Sequence, residues 1–511
     1  MRTTTILVAT LLIAARAAAG QSADALRKAA ATITPEEYAW RVGVIADDSM
    51  QGRNTPSPGL DRTARWIASE LERLGLKGGA EDGSFIQRYP LEKTELDTVA
   101  SALQVRGGPR LAFGADLLPI LGATQSRVEG KLAVVSGDLD ADALGRADLE
   151  GSIVVLRTAS DASAGRRALY GTLGALRTAG ASAVLLMDDS DDATWTSGIG
   201  RALEPRVGVA GSSRGGGRGR GSFPPLARIR AVAVARVLEG SGVSLDDLPA
   251  AGAMKVTEVP GRTATLELSV RTGASSAPNV VGILEGSDPE LKEQYVVFSA
   301  HMDHVGMGTP DERGDSIFNG ADDDASGSAG VLEIAEAVAS LATPPRRSTI
   351  FLWVSGEEKG LWGSAYYAEH PSVPVDRLVA DLNMDMIGRN WPDTIVAIGK
   401  EHSDLGETLN RVNRAHPELG MTAIDDIWPE QNFYQRSDHF NFARRGVPIL
   451  FFFNGTHPDY HGRDDEPDRI DADKASRISK LVFFLGMDVA ARTEPPRWNP
   501  ESYKRIVTQG R

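Results

Sequence analysis

Residues 295–330 read YVVFSAHMDHVGMGTPDERGDSIFNGADDDASGSAG, and this stretch predicts the centre of the fold. Residues 295–300 form a short run rich in valine and phenylalanine, which is typical of a strand buried on both faces. His301 and Asp303 follow the run two positions apart, so in extended chain their side chains lean to the same side. The segment therefore predicts a strand that ends in an imidazole and a carboxylate.

Three consecutive aspartates, Asp322, Asp323 and Asp324, follow in a turn flanked by glycine. An amphipathic helix is expected directly after them, because apolar residues recur on one helical face. These residues are Val331, Ile334, Ala335, Val338 and Leu341. A strand, two polar loops and a helix are the parts from which an open α/β sheet builds a site beyond its strand ends. We therefore expect a metal at this edge of the sheet.

Other apolar runs also end in reactive side chains: residues 350–354 lead to Glu357 and Glu358, residues 378–384 to Asp385, and residues 447–453 to His461. Adjacent residues in extended chain point in opposite directions, so one glutamate can face a metal while its neighbour faces the substrate. The last helix is expected to cover the sheet, since apolar residues between 478 and 489 are spaced for one face. Four strand ends are thus predicted to deliver their side chains to one edge.

This set of side chains suits two divalent ions. Histidines and carboxylates are ligands for Zn²⁺ or Mn²⁺, and the chain has no cysteine. Two ions about 3.5–4 Å apart can share one carboxylate and lower the pKa of a water between them. An extra glutamate would move the proton of that water to a leaving amine, and a nearby phenol would help hold the oxyanion.

Composition limits the class of protein. A chain of 511 residues with 41% apolar content can bury a large core and suggests two or three domains. The net charge of -14 argues against nucleic acid as the main partner. No segment after the N-terminus reaches the roughly 20 apolar residues of a membrane span. The oligomeric state does not follow from the sequence.

The first 20 residues predict a secretory signal peptide. They combine one early basic residue, an apolar run and a small-residue end that resembles a cleavage site near Ala19. Arg16 is irregular for such a segment, and a frayed N-terminal helix is the alternative. An exported protein without cysteine suits the bacterial periplasm or exterior.

Two kinds of sequence pattern occur between the predicted signal peptide and the segment that carries the candidate ligands. Helices are predicted after an N-cap at Thr34 with a capping-box glutamate, Glu37, and over residues 61–74. Residues 117–255 instead show short β-runs, glycine and aspartate turns and a helix at 173–179, which predicts an inserted β-rich domain. The pattern around residues 177–186 and 225–229 resembles the protease-associated domain found inserted in some exopeptidases. Within it, RGGGRGRG at 214–221 lacks aromatic residues for base stacking and is expected to be a solvated loop.

Six ordered motifs resemble the zinc aminopeptidase family that includes bacterial leucyl aminopeptidases, with glutamate carboxypeptidase and glutaminyl cyclase as relatives. The motifs are HMDHVG, NGADDDASG, SGEEKGLWGS, NMDMIG, YQRSDHF and DYHGRDDEPDRID. The resemblance covers residues 260–490 and, more weakly, 30–110. It implies an α/β fold, a three-layer α/β/α sandwich with a mixed, mostly parallel sheet of the phosphorylase/hydrolase-like zinc exopeptidase type, plus the β-rich insertion. The domains expected are 21–116 and 256–495 for the peptidase, 117–255 for the insertion and 496–511 for a tail.

The resemblance also implies a role for individual residues: His301 and Asp385 hold one zinc, Glu358 and His461 hold the other, Asp323 bridges them, Glu357 is the general acid/base, and Tyr434 stabilises the oxyanion. Mn²⁺ or Co²⁺ could replace zinc. Asp303 is expected to orient His301, as metal-bound imidazoles require. A cis peptide is implied between Asp323 and Asp324, so that Asp324 supports the site without binding the metal.

Several alternatives remain open at this stage. Counting from Gly320 selects Asp323 as the bridge, but Asp322 and Asp324 compete with it. Asp322 to Glu333 also fits a calcium loop, although no helix is predicted before it, as that loop requires. His304, His439 and His457 are expected to be loop or packing residues or to support the ligands without binding the metal, and Asp438 is expected to be structural. The acidic run 464–466 is expected to be a solvated loop, although it follows His461 closely enough to contact the free amine of a substrate.

The favoured function is an exported aminopeptidase acting on peptides. A carboxypeptidase or dipeptidase is the main alternative, because Arg389, Arg436 or Arg463 could bind a substrate carboxylate. Glutaminyl cyclisation and a non-catalytic binding role, known among relatives, fit less well, since every ligand position is filled.

Overall fold

The computed structural model describes residues 21–120, 125–158, 165–211 and 224–508. The predicted signal peptide and the RGGGRGRG segment lie outside the described residues. The chain divides into two compact units, Met1–Tyr89 with Ser276–Arg511, and Pro90–Ser275. Among the helices that the structure describes, none combines the length and the apolar character needed to cross a membrane.

The α-helices are α1 (Ala23–Ala30), α2 (Pro35–Ile45), α3 (Pro58–Arg73), α4 (Ala141–Gly145), α5 (Gly165–Thr178), α6 (Asp192–Leu203), α7 (Ala231–Leu238), α8 (Gly327–Ala339), α9 (Trp362–Glu369), α10 (Leu405–Ala415), α11 (His439–Ala443), α12 (Ala472–Ala491) and α13 (Pro500–Tyr503).

The strands are β1 (Lys77–Gly78), β2 (Ile86–Leu96), β3 (Ala102–Val105), β4 (Arg110–Ala112), β5 (Leu117–Pro119), β6 (Ser126–Ser136), β7 (Ile153–Arg157), β8 (Ala183–Asp188), β9 (Arg206–Val209), β10 (Leu226–Arg230), β11 (Lys255–Leu268), β12 (Val270–Leu284), β13 (Tyr295–His301), β14 (Gly306–Met307), β15 (Ile317–Phe318), β16 (Ser348–Val354), β17 (Leu378–Met384), β18 (Thr394–Ile398), β19 (Thr422–Ile424) and β20 (Ile449–Phe453).

The main sheet of the first unit is mixed. Its order includes β19-β18-β20-β17-β13-β16-β12. The four strands β20, β17, β13 and β16 are parallel, whereas β18 and β12 pair antiparallel at either side of them. Parallel neighbours end at the same edge, so β13, β16, β17 and β20 bring their carboxyl ends together. The predicted meeting of four strand ends and the mixed sheet are confirmed.

Strand β13 is buried on both faces, as its apolar run predicts. Phe298 packs on α12, where a Cβ added to Gly486 would lie 2.2 Å from Phe298 Cζ. Val297 belongs to a different buried cluster that includes Ile350 and Phe442 of α11. Because successive side chains in a strand point to opposite faces, α12 and the cluster that contains Phe442 of α11 lie on opposite sides of β13.

The early helices begin at the predicted capping signals. Thr34 Oγ1 accepts a hydrogen bond from the N–H of Glu37 at 3.2 Å, but the Glu37 carboxylate binds Arg41 at 2.9 Å instead of closing a capping box. The helix predicted at 61–74 is α3, which begins three residues earlier at Pro58. Ser57 explains the earlier start, because its hydroxyl accepts from the N–H of Leu60 at 3.1 Å.

The second unit contains an eight-stranded sheet in the order β4-β3-β11-β6-β7-β8-β10-β5. Strands β6, β7, β8 and β10 are parallel, and β3 and β11 pair antiparallel. This unit is larger than the predicted segment 117–255, since β3 and β4 precede residue 117 and β11 runs to Leu268. The change in sequence pattern therefore identified the middle of this unit. The pairing of β3, β4 and β11 adds residues to the unit on both sides of the predicted segment. The helix predicted at 173–179 is the end of α5.

Candidate metal centre and catalytic site

The three aspartates of the turn Ala321–Ser326 differ in their hydrogen-bond partners. Asp322 Oδ1 accepts from the N–H of Gly388 at 2.6 Å. Asp324 accepts from the N–H groups of His301 and Met386, both at 3.2 Å. The peptide between Asp323 and Asp324 is cis, as the resemblance implies. Both outer carboxylates are therefore engaged by the backbone of neighbouring strand ends.

Asp323 instead directs its carboxylate at imidazoles. Its Oδ1 lies 3.2 Å from Nε2 of His301, and its Oδ2 lies 3.1 Å from Nε2 of His461. Two groups of donors share this carboxylate: His301, Asp323 and Asp385 form one, and His304, Asp323, Glu358 and His461 form the other. The ligand atoms within each group lie within 4.8 Å of one another. The geometry is that of two adjacent sites with one common carboxylate.

The donor atoms and their charges fit divalent cations. All are oxygens or imidazole nitrogens, the ligands that zinc and manganese accept. Burial raises the pKa of Asp385, where His301 opposes the effect and the Asp323 charge adds to it. Burial would also raise the pKa of Asp323, but hydrogen bonds from His301 and His461 hold it well below its usual range. A cation between these buried carboxylates would offset their repulsion.

The loop after β16 places two adjacent glutamates in different surroundings. Gly356 has φ +74°, and a Cβ there would lie 2.8 Å from Tyr89 Oη, so the turn requires glycine. Glu358 Oε1 lies 3.0 Å from Nδ1 of His304 and 3.1 Å from Nε2 of His461. Glu357 lines the adjoining cavity, and burial raises its pKa well above the usual carboxyl range. The two carboxylates therefore face the donor groups and the cavity respectively.

Asp303 contacts His301 differently from what the sequence suggests. Nδ1 of His301 lies 3.1 Å from the Asp303 backbone carbonyl but 3.7 Å from the carboxylate. The carboxylate instead accepts from the N–H of Glu357 at 3.2 Å and from the hydroxyl of Thr55 at 2.8 Å. The carbonyl therefore orients the imidazole, while the carboxylate contacts the glutamate loop.

The cavity beside the donor groups combines polar and aromatic walls. Its lining residues are His301, Asp323, Glu357, Asp385, Met386, Phe433, Arg436, Ser437, Phe451, Phe453, Thr456 and Tyr460. The apolar part comes from aromatic side chains at the end of β20 and from a short turn at Phe433–Gln435. This aromatic wall suits an apolar group of a bound molecule, beside the charged side chains of the donor groups.

The structure does not bring Tyr434 to this cavity. Its ring packs against His402 at 4.5 Å between centroids, and its hydroxyl has no hydrogen-bond partner among the described residues. The turn that carries it presents the preceding residue, Phe433, to the cavity instead. Tyr460 supplies a phenol there and stacks on His461 at 3.9 Å. The sequence did contain a signal for Tyr460, namely its position directly before His461 in the motif DYH.

Other residues around the site were missed or placed wrongly. Asp465, expected in a solvated loop, is fully buried and accepts from the N–H groups of Asp322 and Asp323 at 3.0–3.1 Å. Ser437 donates to Asp385 Oδ2 at 2.9 Å. The buried Arg53 donates to the carbonyls of Met302 and Gly320. These two carbonyls lie 249 and 267 positions from Arg53 in the sequence, so local patterns do not indicate the contacts.

His304 and His457, which were expected to be loop, supporting or packing residues, both lie close to carboxylates of the aspartate turn. His304 belongs to the second donor group, and His457 Nε2 lies 3.3 Å from Asp322 Oδ2. His304 follows β13 as His301 does, so the HMDH spacing was a signal for it. His439 and Asp438 are buried in the described structure, in line with packing roles.

One segment of the chain matches a known protein family. Residues 279–485 match the family described as Peptidase family M28. Leupeptin-inactivating enzyme 1 of Streptomyces exfoliatus is 30% identical over 199 residues, which cover 39% of this chain and 40% of that protein. Aminopeptidase YwaD of Bacillus subtilis is 26% identical over 248 residues, or 46% and 50% of the two chains. The chain spans about 40% to 58% of the length of the curated relatives it matches most strongly.

Solved structures extend the likeness of fold beyond that segment. The aminopeptidase from Aneurinibacillus sp. strain AM-1 superposes with a TM-score of 0.51 at 18% identity, covering 93% of this chain and 98% of that chain. BSAP, a zinc aminopeptidase from Bacillus subtilis, gives 0.51 at 18% identity, covering 89% and 94%. At 18% identity, this structural similarity supports a shared mixed α/β fold and nothing finer. The chain therefore carries a peptidase family M28 segment at residues 279–485, which contains every predicted metal ligand.

Proposed function

We propose that this chain is an exported zinc aminopeptidase that removes N-terminal residues from peptides with two metal ions. One observation carries the proposal: the Asp323 carboxylate is common to two groups of nitrogen and oxygen donors, and Glu357 lines the cavity beside them. Relatives named aminopeptidases support the choice of substrate. The N-terminal sequence pattern supports export to a bacterial periplasm or exterior.

The residues divide into two ligand sets: His301 and Asp385 for one ion, Glu358 and His461 for the other, and Asp323 for both. His304 lies 3.0 Å from Glu358 and is placed to orient that carboxylate or join the second set. Bound zinc would supply Lewis acidity and lower the pKa of the attacking water, and Mn²⁺ or Co²⁺ could do the same. The donor set is complete for both ions.

Glu357 is the proposed general acid/base. Its carboxylate receives the proton of the attacking water and returns it to the leaving amine. Burial raises the pKa of this carboxyl, so its ionised form is a stronger base towards the proton of the water. Ser437 fixes Asp385 through a 2.9 Å hydrogen bond. Tyr460, rather than Tyr434, is the phenol placed to donate to the developing oxyanion.

The finer architecture belongs to the same proposal. The position of α12 and of the cluster that contains Phe442 of α11 on opposite sides of β13 supports a three-layer α/β/α sandwich. The unit Pro90–Ser275 interrupts the peptidase unit in the chain, which supports an inserted domain of the protease-associated type. The expected peptidase segments then correspond to Met1–Tyr89 and Ser276–Arg511.

A defined peptide mixture tests the proposed function. The zinc-supplemented protein is incubated with free, N-blocked and C-blocked peptides, and their masses are followed over time. Stepwise loss from free N-termini, stopped by N-blocking or a chelator, is the expected result. An unchanged mixture, or ammonia loss from N-terminal glutamine alone, would contradict aminopeptidase activity.

A carboxypeptidase or dipeptidase is the second candidate, and one observation favours it. Of the three arginines considered, Arg436 lines the cavity. Arg389 is bound to Asp459 at 2.7 Å, and Arg463 lies over the Phe318 ring. Loss of residues from free C-termini, weakened by Arg436→Met through a higher KM, would select this activity instead.

A further inference from the structure

A single buried hydroxyl joins the ends of two strands at the candidate site. Thr55 is 2% exposed. Its hydroxyl donates to Asp303 Oδ2 at 2.8 Å and accepts from the N–H of Gly356 at 3.0 Å. Asp303 follows β13 and Gly356 follows β16, which are neighbouring parallel strands. Thr55 thus links two loops that are 53 positions apart in sequence.

The contacts close a ring around the backbone of Glu357. Asp303 uses its other oxygen, Oδ1, to accept from the N–H of Glu357 at 3.2 Å. The consecutive N–H groups of Gly356 and Glu357 are therefore bound by Thr55 and Asp303, which are bound to each other. These contacts fix the backbone from which the Glu357 side chain enters the cavity.

We propose that Thr55 is a positioning residue for Glu357, so that the N-terminal part of the chain sets the geometry of proton transfer. The inference rests on the proposed role of Glu357 as general acid/base. A hydroxyl is needed because it donates and accepts at once. Valine has a similar shape but would leave the Gly356 N–H and one Asp303 oxygen without their partner. A displacement of about 1 Å in a reacting group costs on the order of 100-fold in rate.

Three variants separate this role from general stability. Thr55→Val removes the hydroxyl, and Thr55→Ser keeps it. Thr63→Val is the matched control, because Thr63 is also buried and donates to the Gly59 carbonyl at 3.2 Å inside α3. Each protein is measured for kcat, KM, bound zinc and hydrogen exchange of the segment 353–361.

Thr55→Val is expected to lower kcat by about 10- to 100-fold with KM and zinc content close to the wild type. Thr55→Ser should recover most of the rate, and Thr63→Val should keep it. Hydrogen exchange in 353–361 should rise at least severalfold in Thr55→Val alone. A wild-type kcat in Thr55→Val, a loss that Thr55→Ser does not rescue, or a loss matched by zinc release would overturn the inference.

Hydrogen exchange also keeps the inference independent of activity. If the wild-type protein cleaves no peptide, the proposed function fails, but the exchange of segment 353–361 still tests whether Thr55 holds this loop. Unchanged exchange in Thr55→Val would then overturn the positioning role as well.

Discussion

Oδ1 of Asp323 lies 3.2 Å from Nε2 of His301, and the other oxygen of the same carboxylate faces a different imidazole, that of His461. One side chain thus serves two donor groups from opposite oxygens. Asp322 Oδ1 and Asp324 accept from backbone N–H groups, and Asp322 Oδ2 faces His457, so Asp323 is the carboxylate of the turn that both donor groups share. The stoichiometry of bound metal should therefore depend on Asp323 differently from the other ligands.

Asp323→Asn should lose both ions, whereas Asp385→Asn and His461→Asn should each lose one. The reason is that the amide offers a single neutral oxygen in place of a shared charged carboxylate. Metal content after dialysis at fixed free zinc, determined by elemental analysis, measures this. Full retention of both ions in Asp323→Asn would show that the carboxylate does not bridge.

Glu357→Gln should lower kcat by at least about 100-fold while both ions stay bound, because general acid/base catalysis contributes roughly that much. Glu358→Gln is the matched control, since this neighbour lies among the donors and its change should release an ion. Peptide hydrolysis and metal content are measured on the same samples. Substantial turnover in Glu357→Gln would remove the proposed role.

Tyr460→Phe should reduce kcat by about 100-fold, the usual effect of losing one oxyanion donor. Tyr434→Phe should leave kcat within a factor of about three, because its hydroxyl is buried outside the cavity. Steady-state kinetics on one peptide compare the two variants. The reverse pattern would restore the assignment of Tyr434 that the sequence motif implies.

Asp381 should make the protein less stable as the pH rises. This carboxylate is buried on β17, where Ser299 donates to Oδ1 at 2.7 Å, and burial raises its pKa from 3.8 to about 7. The folded state therefore binds the proton more tightly than the unfolded state. The stabilisation is fully present below pH 3.8 and is lost as pH rises towards 7. It amounts to a few kcal/mol, at about 1.4 kcal/mol for each pKa unit.

Asp381→Asn keeps the shape and the acceptor for Ser299 but cannot titrate. Urea unfolding at pH 5 and pH 8, at equal metal concentration, should show a smaller loss of unfolding free energy in the variant than in the wild type. An equal loss in both proteins would mean that Asp381 ionises alike in the folded and unfolded states.

Gly486→Ala should destabilise the protein by about 1–3 kcal/mol, because its Cβ would overlap the Phe298 ring that packs β13 on α12. Gly43→Ala in α2 is the control, since a Cβ there has no neighbour within 4 Å and alanine favours helix. Thermal unfolding compares the two variants. A stable Gly486→Ala would indicate that α12 can shift away from the strand.

The general plan of the candidate site follows from local patterns. A buried strand needs an uninterrupted apolar run, and parallel strands end at one edge, so polar residues directly after such runs were predictable as neighbours. His301 and Asp385 were recognisable for this reason, whereas the choice of Glu358 over Glu357 and the role of His461 followed from the resemblance to the aminopeptidase motifs. The N-cap at Thr34 is equally local, because a hydroxyl three residues before a free N–H forms the same bond in most contexts.

Other features depend on contacts between distant segments. The sequence by itself was enough to predict which strand ends carry the candidate ligands and that their donor atoms suit divalent ions. Only the tertiary structure decided that Asp323 is the carboxylate shared by both donor groups, that Tyr460 rather than Tyr434 lines the cavity, and that Asp465 and Thr55 hold neighbouring loops. The physical reason is that a buried backbone N–H or carboxylate must find a partner. Which residue provides that partner depends on distances across the fold, to which local sequence patterns are insensitive.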